Sequence, residues 1–153
     1  MKILFLTLAD RNILDERGIY TDLLRHFVRR GHDVTIVCPK ERRKGIDTNL
    51  QLLENHRILQ VKTLNIQKTN IIEKGIGTLA IEVQYLAAIR KYLADIRFDL
   101  VMYSTPPITF SKVIRFIKKR DQAHSYLLLK DIFPQNAVDL GMMKREGILH
   151  RFF

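Results

Sequence analysis

The residues with the clearest capacity for chemistry stand at the end of an apolar run, where the sequence reads YLLLKDIFPQ from Tyr126. Lys130 and Asp131 place opposite charges where a buried strand would end, and Pro134 prevents that strand from continuing. The pair could cap the strand as a solvated ion pair that adds little stability, or it could face a ligand. The residue types leave both interpretations open.

Three further positions have residue types suited to ligand contacts. Ser104 and Thr105 precede Pro106 and Pro107, so their hydroxyls could bind a ligand or cap the helix that follows. Gly18 ends a polar stretch before an apolar helix. It is either a turn glycine or a point where the backbone approaches a ligand closely.

The elements that must position these residues alternate between strand and helix patterns. Apolar runs without alternation are typical of strands covered on both faces, and they are separated by segments of helical periodicity. This order predicts one domain over residues 1–153, an α/β Rossmann-like, open and mostly parallel sheet flanked by helices, with about five strands. Strands are predicted at ILFLTL, HDVTIVCP, RILQVKTLNI, DLVMYS and SYLLLK, and helices from Ile19 to Gly31, from near Ile76, and at ITFSKVIRFIKKR.

Details of this pattern are expectations for the structure. Pro39 is predicted to close the second strand, RILQVKTLNI to be the more exposed one, and the charged link PKERRKGIDTNLQ to be mobile. Open α/β sheets bind ligands beyond the carboxyl ends of their strands. Ser104 and Lys130 end predicted strands, and Gly18, Thr105 and Asp131 lie in the segments that follow them. The sequence therefore predicts that all five share this edge.

Two alternative functional motifs are rejected. GIGTLA, from Gly75, matches a dinucleotide-binding fingerprint, but a poor strand precedes it and the first βα turn has no such glycines. We interpret it as a chance match. An aspartyl-phosphate receiver domain would need an acidic cluster at the strand ends, which Asp10 and Asp131 alone do not supply.

The formal net charge of +10 favours anionic partners. Part of this charge lies on one predicted helix, where apolar residues occupy one side and Lys112, Arg115, Lys118 and Lys119 the other. This helix could be an ordinary solvated outer helix, or it could contact anionic lipid headgroups. Nucleic acid is not expected as a partner, because no binding motif and no aromatic stacking platform accompanies the basic residues.

Composition bounds the compartment and the cofactors. Cys38 is the single cysteine, and the sequence shows no Cys/His cluster with zinc spacing, so neither a disulfide nor a metal is expected. The apolar start of the chain is too short for a signal peptide, and no window has the length of a membrane-spanning helix. The prediction is a cytoplasmic protein, either soluble or peripheral on the inner face of the plasma membrane.

Three stretches together resemble the N-terminal half of family 4 glycosyltransferases with the GT-B fold, of the bacterial capsule, exopolysaccharide and O-antigen type. They are the step from Gly31 to Val37, the Ser-Thr-Pro-Pro turn from Ser104 to Pro107, and the Asp-Ile-Phe-Pro motif from Asp131 to Pro134. The resemblance covers essentially the whole chain. It implies transfer of a sugar from a nucleotide diphosphate sugar, with retention of configuration and without a cofactor or required metal.

The resemblance also implies roles for individual residues. Asp131 would be the catalytic residue or would orient a sugar hydroxyl, and Lys130 would neutralise phosphate of the acceptor or donor. Gly18, Ser104 and Thr105 would line the cleft. The acceptor would be a lipid-linked or other glycan, and a C-terminal domain outside this chain would bind the nucleotide sugar, so that the fragment alone would be inactive.

The end of the sequence fits this expectation, because an apolar pattern with Ile148, Leu149, Phe152 and Phe153 stops in mid-course. It indicates a domain boundary, or alternatively a last helix docked back on the domain. The competing functional hypothesis is a non-catalytic, stand-alone Rossmann-like module that binds an anionic ligand or a membrane surface.

Overall fold

The apolar runs of the sequence form a six-stranded sheet with strand order β3-β4-β2-β1-β5-β6. The computed structural model describes residues 1–9, 17–65, 71–104 and 110–129, and for residues 71–79 the backbone alone. Its elements are β1 (Lys2–Leu6), α1 (Ile19–Arg29), β2 (Asp33–Glu41), β3 (Asn49–Leu53), β4 (His56–Thr63), α2 (Ile71–Tyr92), β5 (Leu100–Ser104), α3 (Ser111–Asp121) and β6 (His124–Leu128). Neighbouring strands run parallel except for β3, which is antiparallel to β4. The predicted Rossmann-like α/β class is confirmed.

The central strands are apolar throughout because both of their faces are covered. In β1, Leu4 and Leu6 belong to the core beneath α2 and α3, whereas Ile3 and Phe5 belong to the core beneath α1. Successive side chains of a strand point to opposite faces, so a strand between two helical layers needs no polar alternation. We call the two sides of the sheet the α1 face and the α2–α3 face.

The second strand does not stop at Pro39, as the sequence suggested, but continues to Glu41. The Val37 carbonyl accepts the Thr7 N–H on the β1 side, and Pro39, two residues later, is directed to the same side. The β1 ladder ends at the pair Leu6–Val37. Because no β1 residue remains to accept a hydrogen bond at this position, the missing N–H of Pro39 removes no hydrogen bond from the sheet.

The charged link after Pro39, predicted to be mobile, is largely structured. It contains a 3-10 turn at Arg42–Lys44 and the edge strand β3, which the sequence pattern missed. Because β3 lies beyond β4, β4 is an internal strand and its residues from Ile58 to Val61 are buried. The expectation that β4 is the more exposed strand was wrong for this reason.

The helices follow the predicted pattern with shifted bounds. α1 ends before Gly31, whose φ of 77° lies in the left-handed region that favours glycine at a helix end. α2 begins at Ile71 rather than near Ile76, so Gly75 lies inside a helix. A dinucleotide fingerprint requires a strand-to-helix turn there, and the interpretation of GIGTLA as a chance match is confirmed.

Candidate functional site

The carboxyl edge of the sheet presents a row of polar residues at the ends of adjacent strands. Ser104 is the last residue of β5 and is half-buried. Thr7 follows β1, one position beyond the pair Leu6–Tyr103 that joins β1 to β5. On the other side of β1, β2 ends at Glu41 and β4 at Thr63, which are register partners. This edge is where the sequence placed Gly18 and Ser104.

Gly18 is the N-terminal cap residue of α1, and no side chain in the described part of the chain caps this helix. Its carbonyl accepts the Asp22 N–H and the Thr21 hydroxyl, each at 2.8 Å. The backbone at Gly18 is extended, with φ of 173°, so the conformation itself does not require glycine. A Cβ at this position would approach the Thr21 Oγ1 to 3.3 Å, so glycine avoids a tight contact with the first turn of the helix.

Thr7, which follows β1, is held at this edge by several hydrogen bonds. It is buried, its N–H donates to the Val37 carbonyl, and its carbonyl accepts the Tyr85 hydroxyl of α2 at 2.7 Å. Its own Oγ1 accepts the Ala9 N–H at 3.0 Å. These bonds hold the start of the loop after β1, and no sequence motif had indicated Thr7.

Glu41 is a buried carboxylate at the same edge, with 1% of its surface exposed. Arg43, in the turn that follows β2, forms an ion pair with it. Beside it lies Thr63, a buried residue whose hydroxyl has no hydrogen-bond partner among the described residues. Burial of a charge is tolerated only when it is paired, so Arg43 is tied to this edge. The sequence missed Glu41 because it falls in the link predicted to be mobile.

The N-terminus of α3 also lies at this edge, but a protein carboxylate occupies it. Glu82 of α2 accepts the backbone N–H of Lys112, and the Lys112 Nζ lies 3.6 Å from the other carboxylate oxygen. Helix N-termini carry orphan N–H donors and a partial positive charge. Glu82 supplies the acceptor, and the cap residue is Phe110 rather than Ser104 or Thr105.

The basic side of α3 matches the sequence expectation in its exposure. Val113 and Ile117 are buried, whereas Lys112, Arg115, Lys118 and Lys119 are exposed. A groove of about 560 Å³ runs along this helix, and we call it the α3 groove. It is lined by Tyr103, Ser111, Ile114, Arg115, Lys118, Lys119 and Gln122.

The α3 groove combines charge with apolar surface. Arg115, Lys118 and Lys119 supply cations, while Tyr103 and Ile114 are partly buried and pack against the core. Such a surface can attract an anionic group and at the same time contact hydrocarbon. Lys112 is the one member of the predicted basic set that does not line the groove, because it is held near Glu82.

Three predicted residues lie outside the described part of the chain, namely Thr105, Lys130 and Asp131. Of the other two, Gly18 precedes the first residue of α1 and Ser104 is the last residue of β5. The ligand-binding or catalytic roles of all five residues stay predictions. Within residues 1–9, 17–65, 71–104 and 110–129, no group of three or more His, Cys, Asp or Glu side chains could hold a metal ion. None of the helices in those ranges is long and apolar enough to cross a bilayer.

Comparisons with known proteins agree with the fold. No protein-family model and no curated protein matches the chain. A solved structure does match, described as E. coli trehalose-6-phosphate bound with UDP-2-fluoro glucose, with a TM-score of 0.56 and 5% sequence identity. The match covers 83% of this chain and 32% of that chain, so the chain spans about a third of its neighbour. At this identity the likeness shows the fold alone, and the chain shares its Rossmann-like α/β fold with part of that structure.

Proposed function

We propose that this chain is the acceptor-side domain of a glycosyltransferase, which moves a sugar from a nucleotide diphosphate sugar to a glycan acceptor. The observation that carries the proposal is the match between the fold of this chain and a solved structure described with bound UDP-2-fluoro glucose, a nucleotide sugar analogue. The match covers only 32% of the neighbouring chain. We therefore assign nucleotide-sugar binding to a further domain. Catalysis would take place in the cleft between the two domains.

The finer assignments of this proposal come from the sequence resemblance. They comprise membership of family 4, retention of configuration, a lipid-linked acceptor, and a pathway of bacterial capsule, exopolysaccharide or O-antigen synthesis. The described edge supports the general kind of function, since it offers the polar strand end Ser104 and the N-terminus of α1 at Gly18, which has no capping side chain among the described residues. Such a helix end and hydroxyl can contact phosphate or sugar groups.

A substitution at Asp131 tests the catalytic part of the proposal. In the full-length enzyme, Asp131→Ala should lower kcat by about 100-fold or more, as expected when an acid–base group or an orienting carboxylate is removed. The measurement is turnover of nucleotide diphosphate sugars with a lipid-linked acceptor. Thermal unfolding of the variant should match that of the parent, because the proposed role is chemical.

A matched control is Asp95→Ala, since Asp95 is exposed after the end of α2. We expect this control to retain parental turnover. Parental turnover in Asp131→Ala itself would remove Asp131 from the catalytic machinery, whatever the activity of the control.

We infer a second candidate function from the α3 groove, a peripheral contact with anionic membrane that could also serve a non-catalytic module. The exposed set Lys112, Arg115, Lys118 and Lys119 supports it. Each basic side chain near an anionic surface contributes about 1 kcal/mol. Replacing this set by glutamine should therefore weaken binding to vesicles containing phosphatidylglycerol by about 100-fold or more in a flotation assay.

The control for net charge replaces an equal number of exposed basic residues away from α3. The control set is Lys2, Arg17, Arg29 and Arg30. If both sets lower vesicle binding equally, the attraction is a property of net charge and α3 is not the contact. If the parent floats equally well with neutral vesicles, an electrostatic contact is excluded.

A further inference from the structure

The edge strand β3 lacks the features that normally prevent a sheet edge from pairing with another strand. Its sequence, NLQLL, contains no charge and no proline, although the chain as a whole carries 26 Lys and Arg residues. Leu52 is 72% exposed and Leu53 47% exposed. Natural edge strands are usually protected by lysine, proline or a bulge. An uncharged edge is therefore the place where two copies of so basic a chain could meet without repulsion between strands.

The backbone of β3 is directed outward at defined residues. Leu53 and His56 flank the turn at Glu54 and Asn55, and they are register partners. A ladder pair next to so short a turn must be the hydrogen-bonded kind, and hydrogen-bonded pairs alternate along a hairpin. Leu50 and Leu52 therefore direct their N–H and C=O groups away from β4. Among the described residues, no backbone hydrogen bond outside the β3–β4 ladder reaches them.

We infer that β3 pairs antiparallel with β3 of a second copy of this chain around a two-fold axis that passes beside Gln51. In this register Leu50 lies opposite the partner's Leu52, and the reverse pair forms by symmetry. Leu50 of one copy and Leu52 of the other, whose N–H and C=O groups point outward, then exchange hydrogen bonds. The sheet of one copy continues into the sheet of the other.

Side chains support the same register. Leu50 packs against the core of the α2–α3 face, and Leu52, two residues along, points to that face as well. A two-fold axis perpendicular to the sheet preserves its faces, so Leu50 and Leu52 of both copies form one apolar cluster. Leu52, which is exposed in a single copy, becomes covered.

Charges near β3 leave this edge close to neutral. Asp47, which precedes β3, is paired with Lys62 at 2.8 Å, and Asp33 is paired with Arg57 beside the turn. No described residue of β3 or its turn other than Glu54 brings a further charge. A second copy is favoured as the occupant over a foreign strand because the leucines and the outward backbone groups are self-complementary in one register. This inference is independent of the sugar-transfer proposal.

A charge-swap experiment on the full-length protein tests the symmetry. Gln51 is exposed and lies opposite its own copy, with the two Cα atoms about 4.5 Å apart in a non-hydrogen-bonded pair. Gln51→Lys and Gln51→Glu should each shift the protein to the monomer in sedimentation velocity, because like charges then meet on the axis. An equimolar mixture of the two variants should restore the dimer.

Val83→Lys is the matched control, because Val83 is exposed on the helix α2 and is not part of the edge strand. It should leave the dimer unchanged. A parent protein that is monomeric across the whole concentration series overturns the inference. A dimer that persists in both charged variants also overturns the inference. It would mean that the interface lies elsewhere, for instance at the opposite edge strand β6, or that the strands pair without bringing Gln51 onto an axis.

A cysteine experiment tests the register itself. The native Cys38 is buried, so the parent should not cross-link. Gln51→Cys should form a disulfide-linked dimer under mild oxidation, since about 4.4 to 6.8 Å between Cα atoms permits the bond. Leu52→Cys, one residue away, should not, because the partner residue opposite it is Leu50. Cross-linking of Leu52→Cys alone would contradict the register.

Discussion

At the scale of the residue, side chains distant in sequence define the local electrostatics of the sheet edge. Asp47 precedes β3 and Lys62 lies in β4, yet the Lys62 Nζ donates to the Asp47 Oδ1 at 2.8 Å. This hydrogen bond, and second the positive charge of Lys62, lower the pKa of Asp47 below its ordinary value of 3.8. The pair anchors the start of β3, where the Thr48 hydroxyl also accepts the Lys62 N–H at 2.9 Å.

Replacing Lys62 by methionine should raise the pKa of Asp47 back toward 3.8, because both causes of its shift disappear. A lowered folded-state pKa means that the pair stabilises the fold above the ordinary pKa, and that this contribution is lost as the pH falls through the lowered pKa. The measurement is an NMR titration of the Asp47 carboxyl carbon. Lys2→Met, which removes a distant exposed cation, is the control. Identical titrations of Asp47 in both variants would show that Lys62 is not the cause.

At the scale of the element, a buried carboxylate joins the end of α3 to the connection between α2 and β5. The Asp121 side chain is fully buried, accepts the Phe98 N–H at 3.1 Å, and pairs with Arg120 at 2.5 Å. Arg120 in turn donates to the carbonyls of Leu93 and Ile96. These contacts fix where β5 begins, and so set the position at which Ser104 ends that strand.

We expect Asp121→Ala to lower the free energy of unfolding by about 3 kcal/mol, because it leaves Arg120 partly buried without its carboxylate. Urea unfolding followed by circular dichroism measures the change. The exposed Asp95 provides the comparison, and Asp95→Ala should stay within about 0.5 kcal/mol of the parent. Equal stabilities of the two variants would show that the Asp121 contacts are not needed to hold the connection.

The same scale shows why the sequence pattern identified some elements and missed others. Strands β1 and β5 are short apolar runs between polar segments, and this pattern alone identifies them as strands. β3 is an exposed edge strand in a charged stretch, so its pattern resembles a loop. The burial of β4 depends on β3 lying beside it. Because the sequence pattern did not show β3, it also could not show that β4 is an internal strand.

At the scale of the whole molecule, the order of the strands brings candidate residues to one edge. β1 lies in the centre, with β2 on one side and β5 on the other, so the ends of the first, second and fifth strands are adjacent. The sequence predicted this meeting for Gly18 and Ser104 because parallel strands with crossover helices share a carboxyl edge. It did not indicate Thr7, Glu41 or Thr63, whose roles arise from register.

The basic residues of the molecule also acquire different roles in three dimensions. Arg120 forms an ion pair with Asp121, and Lys112 forms one with Glu82. Arg115, Lys118 and Lys119 remain to line the α3 groove. The sequence predicted the basic side of α3 from helical periodicity, but only the packing of α2 against α3 separates Lys112 from the others.

The sequence by itself determined the class of fold, the buried strands, the basic side of α3 and the edge at which Gly18 and Ser104 lie. These follow from local periodicity and from the handedness of parallel crossovers, which any segment of the chain expresses independently of its partners. The tertiary structure decided the antiparallel edge strand β3, the passage of β2 through Pro39, the paired carboxylates Glu41 and Asp121, and the register that leaves Leu50 and Leu52 open. Each of these depends on which distant residue lies alongside, because a hydrogen bond, an ion pair or a free ladder position exists only once two separate segments meet.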